Sequence, residues 1–323
     1  MDIEAFLKEW HNDSPTLLVH TSGSTGQPKP MLVEKRRMEA SARITCRFLG
    51  LKADDTALLC MSLDYIAGKM MVVRALTCRL KLITVEPSGH PLHNLLSTIN
   101  CQLDFAAMVP MQVYNSLQVP EERERLMQIR QLIIGGGAID EALARELKTF
   151  PHAVWSTYGM TETLSHIALR RLNGPDASEW YTPFEGVGLS LDHDGCLVID
   201  APAVHDGILT THDIAEIRAD GRFKILGRKD NVICSGGVKI QAEEVERLLC
   251  VHMHEPYLIT KRQDERFGEV VVLLTEGDTA VAKGICEKVL PKYWQPRVYT
   301  HVLQIPHTKT GKPARKAAEE MAK

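Results

Sequence analysis

The sequence predicts an α/β fold: a large N-terminal domain of mostly parallel sheets covered by helices, with a small β subdomain, followed by a small α+β C-terminal domain. Short apolar runs alternate with helical patterns between residues 57 and 156, which favours a parallel sheet with helices on its faces. From about 183 to 228, short β-like runs alternate with Gly and Asp turns, as in an antiparallel β subdomain. Beyond 230, helices and strands mix again in a compact segment.

Composition limits the classes of protein to be considered. The 323 residues are 44% hydrophobic, which is enough for a substantial core and for two domains. The formal net charge is −3, so no basic excess favours nucleic-acid binding. The eight cysteines form no Cys-x-x-Cys pair, which favours reduced thiols and a cytoplasmic location. We see neither a secretory signal at the N-terminus nor an apolar run long enough for a membrane span.

Local patterns give the elements of the N-terminal part. An amphipathic helix is predicted over 2–10, a strand over 16–19 and a helix over 34–49, which Gly50 ends. Met70, Met71 and Val73 predict a core-facing helix over 63–76. The strands expected in the parallel sheet are 57–61, 80–85, 105–109, 132–134 and 153–156. The helices expected between them are 90–99, 110–117, 121–130 (with a solvated face) and 140–149.

The C-terminal part begins after a polar, turn-like linker at Gly227, Arg228, Lys229 and Asp230. Helices are predicted over 242–249 and 280–290, and strands near 257–260, 270–274 and 297–302. The tail then enters a basic helix.

A loop rich in glycine and hydroxyl groups follows the first predicted strand: Thr21, Ser22, Gly23, Ser24, Thr25 and Gly26, with Lys29 shortly after. Glycines let backbone amides approach a phosphate, hydroxyls add hydrogen bonds, and Lys29 adds a positive charge. The loop lacks the Walker pattern, because Gln27 and Pro28 follow Gly26. We therefore predict a polyphosphate-binding loop; a plain polar turn is the alternative.

Two other chemically rich segments, 135–138 and 157–163, also follow predicted strands. In parallel sheets, ligands bind at the carboxyl ends of the strands. We therefore expect all three loops at such an edge.

Four motifs in order resemble the signatures of the adenylate-forming family, which includes acyl-CoA synthetases, nonribosomal peptide adenylation domains and luciferases. The first motif is the loop 21–29, and the second is Tyr158-Gly159-Met160-Thr161-Glu162. The third is 227–230 with Gly236-Gly237, and the fourth is Pro306-x-Thr308-x-x-Gly311-Lys312. The motifs span nearly the whole chain, so joint chance agreement does not explain them.

The resemblance implies ATP-dependent joining of a carboxylic acid to AMP, followed by transfer of the acyl group to a thiol such as coenzyme A. The loop 21–29 would hold the β- and γ-phosphates, Glu162 would bind Mg²⁺, and Thr161 would touch the α-phosphate. Tyr158 would stack on adenine next to Gly159. The backbone that would pass along the base is that of Gly135, Gly136, Gly137 and Ala138.

The resemblance extends to the C-terminal part of the chain. Asp213 would bind ribose, although His212 replaces the glycine that the family carries before this aspartate. Arg228 would bind ribose or the α-phosphate. Lys312 would bridge the acyl carboxylate and the α-phosphate and so reduce the repulsion between two anions. Gly236 and Gly237 would line the thiol channel.

The family pattern also implies a division into an adenylating domain over 1–227 and a mobile C-terminal domain over 228–323, with a hinge near Asp230. Hinges are a few loop residues that absorb large dihedral changes, and this polar turn fits that description.

One stretch bears on the acid. Tyr65-Ile66-Ala67-Gly68 followed by Arg74 is similar to the His-x-Ser-Gly-x5-Arg stretch of o-succinylbenzoate–CoA ligases of menaquinone synthesis, with Tyr65 in place of histidine. The segment 158–166 is similar to another of their motifs. Their acid has two carboxylates. Lys69, Arg74 and His166 are candidates to meet the one that is not activated; for Arg74, a structural ion pair is the alternative.

Only about 20 residues precede the phosphate loop, fewer than in most family members. We therefore expect part of the usual large domain to be missing, and the acyl pocket or a homodimer surface to differ. Three alternatives stay open: another aryl- or acyl-CoA ligase, a stand-alone adenylation protein that loads a carrier protein, and a non-enzymatic nucleotide-binding relative.

Overall fold

The computed structural model describes residues 1–20, 29–95, 102–308 and 312–323. The chain divides into two compact units. Unit 1 comprises Met1–Leu189, Ile199–Leu209 and Arg218–Phe223, and unit 2 comprises Ser190–Val198, Thr210–Ile217 and Lys224–Lys323. The boundary at 227 and the hinge near Asp230 stay predictions.

The helices of the described residues are α1 (Ile3–His11), α2 (Lys35–Leu49), α3 (Ile66–Cys78), α4 (Pro110–Gln118), α5 (Pro120–Met127), α6 (Glu141–Leu147), α7 (Ala242–Leu249), α8 (Thr279–Val289) and α9 (Arg315–Met321). The strands of the first half are β1 (Thr16–His20), β2 (Pro30–Glu34), β3 (Thr56–Leu59), β4 (Lys81–Thr84), β5 (Phe105–Met108), β6 (Gln131–Ile134), β7 (Ala153–Gly159), β8 (His166–Arg171) and β9 (Thr182–Pro183). The remaining strands are β10 (Gly188–Leu191), β11 (Cys196–Asp200), β12 (Ile208–Ile217), β13 (Phe223–Arg228), β14 (Val232–Ser235), β15 (Val238–Gln241), β16 (Tyr257–Asp264), β17 (Gly268–Thr275) and β18 (Val298–His301).

Unit 1 is built on a sheet with the strand order β4-β3-β5-β6-β7-β8-β9. The pairs from β4 to β7 are parallel, which confirms the predicted parallel sheet, while β8 and β9 add an antiparallel edge. Apolar residues of α4, α5 and α6 pack on buried strand residues such as Leu58, Leu132 and Val154. As predicted, Met70, Met71 and Val73 of α3 are fully buried.

The first strand does not join this sheet, which corrects our expectation for the phosphate loop. β1 pairs with β2 in a separate two-stranded antiparallel sheet, in which His20 lies opposite Pro30. The loop therefore connects the two strands of a hairpin instead of following a parallel strand. Residues 21–28 themselves lie outside the described residues.

Two of the predicted helices also differ. Within the segment 90–99, the described residues form only a 3₁₀ turn at His93–Leu95, and 96–99 lie outside the described residues. Helix α5 ends at Met127, before the predicted end at 130, and beside its exposed face it carries buried residues such as Glu122, which is 1% exposed. Its carboxylate accepts a hydrogen bond from the Ser116 hydroxyl at 2.9 Å, as a buried carboxylate requires.

The β-rich segment forms a four-stranded sheet with the order β10-β11-β12-β13. The rest of unit 2 is a sheet with the order β15-β14-β17-β16, in which β18 pairs in parallel with β17. Helices α7 and α8 contribute Val245, Leu249 and Ala282 to a core that also contains Leu273 of β17. Among the described residues, no helix is both long and apolar enough to cross a bilayer.

Candidate active site

Two of the predicted segments lie side by side at one edge of the parallel sheet. β6 and β7 pair so that Ile134 is opposite Ser156, and the segment 135–138 follows β6. Residues Gly136 to Ala138 are exposed, and the Asp140 carboxylate then caps α6 by accepting from the Leu143 amide at 2.7 Å. The segment therefore offers accessible backbone at the carboxyl end of a strand.

The second motif begins on a strand instead of a loop, since β7 runs through Tyr158 and Gly159. A β-carbon on Gly159 would lie 2.2 Å from the carbonyl oxygen of Ser165, so only glycine fits there. The hydroxyl of Thr163, which is fully buried, accepts from the Met160 amide at 3.0 Å and donates to the Ser165 carbonyl at 2.8 Å. Leu164 has a φ of +65°, a strained conformation for this residue type. The turn that follows β7 is therefore tightly constrained.

Tyr158, Thr161 and Glu162 differ in their surroundings. The Tyr158 ring makes an edge contact with Phe223, with ring centroids 5.1 Å apart. Thr161 is buried, whereas Glu162 is half-buried. The Glu162 backbone carbonyl lies 3.1 Å from Nδ1 of His205, which fixes the main chain beside this carboxylate. His205 is not among the residues predicted from the sequence, because nothing in its local pattern indicates this contact.

Arg74 and His166 are brought together through Ser165. Arg74 Nη2 donates to the Ser165 hydroxyl oxygen at 2.6 Å, and the same oxygen lies 3.1 Å from His166 Nδ1. On its other side, the His166 ring places Nε2 3.1 Å from the Thr45 hydroxyl. Ser165 is half-buried, while Arg74 and His166 are buried. We name Arg74, Ser165 and His166 the arginine cluster.

The arginine cluster holds a positive charge that no described carboxylate neutralises. Arg74 is 2% exposed, its Nε is buried without a hydrogen-bond partner, and no described carboxylate lies within salt-bridge distance of it. Burial lowers the pKa of Arg74 to about 10, so the side chain stays charged at neutral pH. Burial, and secondly the charge of Arg74, hold the pKa of His166 well below its ordinary value, so this ring is neutral. A structural ion pair, our alternative for Arg74, is therefore not seen among the described residues.

Lys69, the third candidate for the acid, does not belong to this cluster. Its ammonium lies 3.3 Å from the sulfur of Met1 and 5.3 Å from the centre of the Phe6 ring. Its contacts are therefore with the N-terminal segment, although it lies on the same helix as Arg74.

In unit 2, Arg228 lies between two carboxylates. Its Nη1 is 2.9 Å from Asp213 Oδ1, and its Nη2 is 2.9 Å from Asp230 Oδ2. His212 Nδ1 lies 2.9 Å from the other oxygen of Asp230. Burial acts to raise the pKa of Asp230. Hydrogen bonds from His212, and then from Arg228, nevertheless hold this pKa below its ordinary value.

In the fourth motif, Thr308 and Lys312 are hydrogen-bonded to each other, which gives the threonine a structural role. The Lys312 amide donates to the Thr308 hydroxyl at 3.1 Å, and the Thr308 amide donates to the Lys312 carbonyl at 2.7 Å. Burial lowers the pKa of Lys312, and the charge of Arg228 lowers it further, whereas Asp213 opposes the shift. Lys312 therefore belongs to the same electrostatic neighbourhood as Arg228 and Asp213. Gly311 lies outside the described residues.

Gly236 and Gly237 form the two-residue turn between β14 and β15. Their φ angles are +56° and +83°, as the tightest hairpin turns require. The Gly236 amide donates to the Phe267 carbonyl at 2.9 Å. Of the phosphate loop, the structure describes only Lys29, which is exposed and directly precedes β2.

Comparison with known proteins identifies the family. The sequence profile described as AMP-binding enzyme matches residues 4–207. The chain belongs to this family. The match includes the phosphate loop and the segment 158–166, so the resemblance drawn from the motifs is confirmed.

Several family members are similar over most of the chain. A 2-succinylbenzoate–CoA ligase of Bacillus mycoides is 25% identical and aligns with 98% of this chain and 73% of the relative. One from Haemophilus influenzae is 25% identical and aligns with 90% of this chain and 65% of the relative. The chain thus spans 65–73% of the length of these two relatives.

Solved structures confirm the fold. An acyl-CoA synthetase (AMP-forming)/AMP-acid ligase II-like protein of Dyadobacter fermentans is 32% identical with a TM-score of 0.66, covering 97% of this chain and 91% of that one. The o-succinylbenzoate–CoA synthetase of Bacillus subtilis, in complex with ATP and magnesium, is 22% identical with a TM-score of 0.76, covering 93% of this chain and 68% of that one. The predicted α/β class is therefore correct.

The residues of unit 1 fit the ligands of the family. The exposed segment 136–138, two glycines and an alanine, can approach a flat base with only one methyl side chain present. Glu162 offers a half-buried carboxylate, a hard oxygen ligand of the kind that Mg²⁺ prefers.

Proposed function

We propose that the protein is an AMP-forming acid–CoA ligase whose substrate is o-succinylbenzoate, the acid of menaquinone synthesis. Family membership supports the adenylating chemistry. The names of the relatives and the match of 65–74 and 158–166 to the motifs of o-succinylbenzoate–CoA ligases support the acid.

The observation that carries this choice of acid is the unneutralised charge of Arg74. A buried guanidinium without a carboxylate is costly, and a bound anion would offset that cost. Ser165 is the half-buried member of the arginine cluster. A ring carboxylate would therefore meet the Ser165 hydroxyl, with the charge of Arg74 directly behind it. A fatty acid has no second carboxylate to use this arrangement.

In the first half-reaction, the acid carboxylate attacks the α-phosphorus of ATP and pyrophosphate leaves. Both reacting groups are anionic, so positioning and charge neutralisation supply most of the catalysis. Lys312 and Arg228 would hold positive charge at the oxygens of the α-phosphate and the acid, and Asp213 would bind the ribose hydroxyls. Thr161 would contact the α-phosphate, and Lys29 the outer phosphates.

Magnesium, when bound, would neutralise phosphate charge. Glu162 would hold the ion, while His205 and the buried Thr163 keep the surrounding turn fixed. In the second half-reaction the coenzyme A thiol displaces AMP, and the turn at Gly236 and Gly237 would border its path.

The experiment is a ligation screen with ATP, coenzyme A and one acid at a time: o-succinylbenzoate, benzoates or fatty acids. We expect acid-dependent AMP release that requires coenzyme A and is most efficient with o-succinylbenzoate. Lys312→Ala should abolish acid-dependent pyrophosphate exchange yet leave thiolysis of supplied acyl-adenylate largely intact. Equal loss of both half-reactions would contradict the role of Lys312. AMP release that requires a carrier protein instead of coenzyme A would contradict the proposed acceptor.

A further inference from the structure

His212 closes a ring of charged side chains in unit 2. The ring runs from His212 to Asp230, on to Arg228, and back to Asp213, the residue next to His212 on β12. Nδ1 of His212 lies 2.9 Å from one Asp230 oxygen and 3.1 Å from the other. Asp230 itself follows β13 in a 3₁₀ turn at Lys229–Asn231. The histidine therefore ties this turn to β12.

The carboxylate of Asp230 is shared between two donors. Arg228 Nη2 approaches Oδ2 at 2.9 Å, and the histidine nitrogen is within hydrogen-bonding distance of both oxygens. If His212 gains a proton, its attraction for this carboxylate rises, because a hydrogen bond between two charged groups is stronger than one from a neutral donor. Asp230 then neutralises less of the charge of Arg228.

The other charged groups of the cluster are Asp213 on β12 and Lys312, whose pKa responds to both Arg228 and Asp213. Lys229 is engaged elsewhere, with Asp194. With His212 neutral, the two aspartates balance Arg228 and Lys312. With His212 protonated, the cluster has a net charge of +1. The side chain of His212 is 59% exposed and can exchange protons with solvent.

We propose that His212 is a positioning residue: through Asp230 it sets the positive charge that Arg228 and Lys312 present to an anionic ligand, so that an adenine nucleotide binds more tightly with His212 protonated than with His212 neutral. This proposal rests on the proposed function, which assigns Arg228 and Lys312 to the nucleotide. It goes beyond that function because it gives a role to a residue that departs from the family's motif.

The test needs a nucleotide whose own charge does not change with pH. Adenosine 5′-sulfate keeps one negative charge across the range in which the phosphates of AMP and ATP titrate, and adenosine is its neutral counterpart. Their dissociation constants for the full chain are measured by calorimetry at about pH 6 and about pH 8. We expect the sulfate to bind about 3-fold to 5-fold more tightly at the lower pH, the effect of one added charge in a solvated cluster. Adenosine should bind equally at both.

The matched variant is His212→Asn, in which an amide nitrogen takes the place of Nδ1 as a donor to Asp230 but cannot be protonated. Its affinity for the sulfate should stay close to the wild-type value at about pH 8 and no longer change with pH. His212→Gly, which restores the family's residue, should also lose the pH dependence but bind more weakly than His212→Asn if the hydrogen bond positions Arg228.

Each outcome has a distinct meaning. If His212→Asn keeps the wild-type pH dependence, His212 is not the group that sets this charge and the inference fails, while the proposed function stands. If the wild-type protein binds neither adenosine 5′-sulfate nor ATP at either pH, the proposed function fails and the inference fails with it. Circular dichroism of both variants should match the wild type, because the substituted side chain is largely exposed.

Discussion

Arg74 has the most unusual surroundings of any single residue in the arginine cluster. A charged group that is 2% exposed normally contacts a carboxylate, yet its described polar partners are the Ser165 hydroxyl and the Met71 sulfur. The described residues hold the side chain in place without neutralising it. A bound anion is the simplest way to complete such a site.

Replacing Arg74 by methionine tests this interpretation with two acids. o-Succinylbenzoate carries a ring carboxylate, and 3-benzoylpropionate lacks it but keeps the carboxylate that is activated. We expect the KM for the dianionic acid to rise about 10-fold or more, since a hydrogen bond to a charged group contributes about 1.5–3 kcal/mol. The KM for the monoanionic acid should change less than about 3-fold.

Lys69→Met is the matched control, because Lys69 lies on the same helix but contacts Met1 and Phe6. It should affect the two acids equally. Equal effects of Arg74→Met on both acids would remove the assignment.

At the scale of elements, the segment that carries Lys312 is anchored by α9, the helix that follows it in the chain. Arg315 makes two hydrogen bonds to the Glu246 carboxylate of α7, both of 2.8 Å, and another to the Ile259 carbonyl at 2.7 Å. The Ile259 amide donates back to Glu246 at 2.9 Å. Arg315 thus joins α9 to α7 and β16 only three residues after Lys312.

Glu246→Gln should therefore destabilise unit 2. The substitution keeps the shape of the side chain but leaves the partly buried Arg315 with only its longer ion pair, to Glu243 at 3.9 Å. We expect a loss of about 2 kcal/mol in the free energy of unfolding. Urea denaturation monitored by the fluorescence of Trp294, the tryptophan of unit 2, measures it. Glu244→Gln, which removes a more exposed pair with Arg247, should cost less than about 0.5 kcal/mol. Similar losses in both variants would contradict the anchoring role.

At the scale of the whole molecule, buried His166 gives the folded state a dependence on pH. Its pKa in the folded protein is depressed below the unfolded value by burial and then by Arg74. As pH falls, His166 therefore binds a proton in the unfolded chain at a pH at which it stays neutral in the folded chain. The stability due to this residue is fully present above the ordinary histidine pKa and is lost as pH falls below it.

Between about pH 6.5 and about pH 5.5, His166 should cost the protein about 1 kcal/mol of unfolding free energy. His166→Asn should lose less stability than the wild type over this interval. Urea denaturation at both pH values measures the difference, and the carboxylates that titrate in the same range are common to both proteins. Equal losses would show that His166 takes up its proton without penalty in the folded state.

The sequence by itself determined the α/β class, the parallel strands and the family, since these depend on local apolar patterns and on motifs contiguous along the chain. It also indicated that Arg74 and Gly159 are candidate site residues, because each belongs to a short motif that is contiguous along the chain. The predicted hinge and the roles of Lys312, Arg228 and Glu162 stay predictions.

Only the tertiary structure decided which strands pair and which polar groups meet. Pairing of β1 with β2 depends on the register of two segments and cannot be deduced from either alone. The contacts of Ser165 with Arg74 and of His212 with Asp230 join residues 91 and 18 positions apart. Local patterns report whether a residue faces the core, whereas a hydrogen-bond partner depends on how distant segments pack. This is why the sequence indicated the phosphate-loop motif. It indicated neither the pairing of β1 with β2 nor the ring formed by His212, Asp230, Arg228 and Asp213.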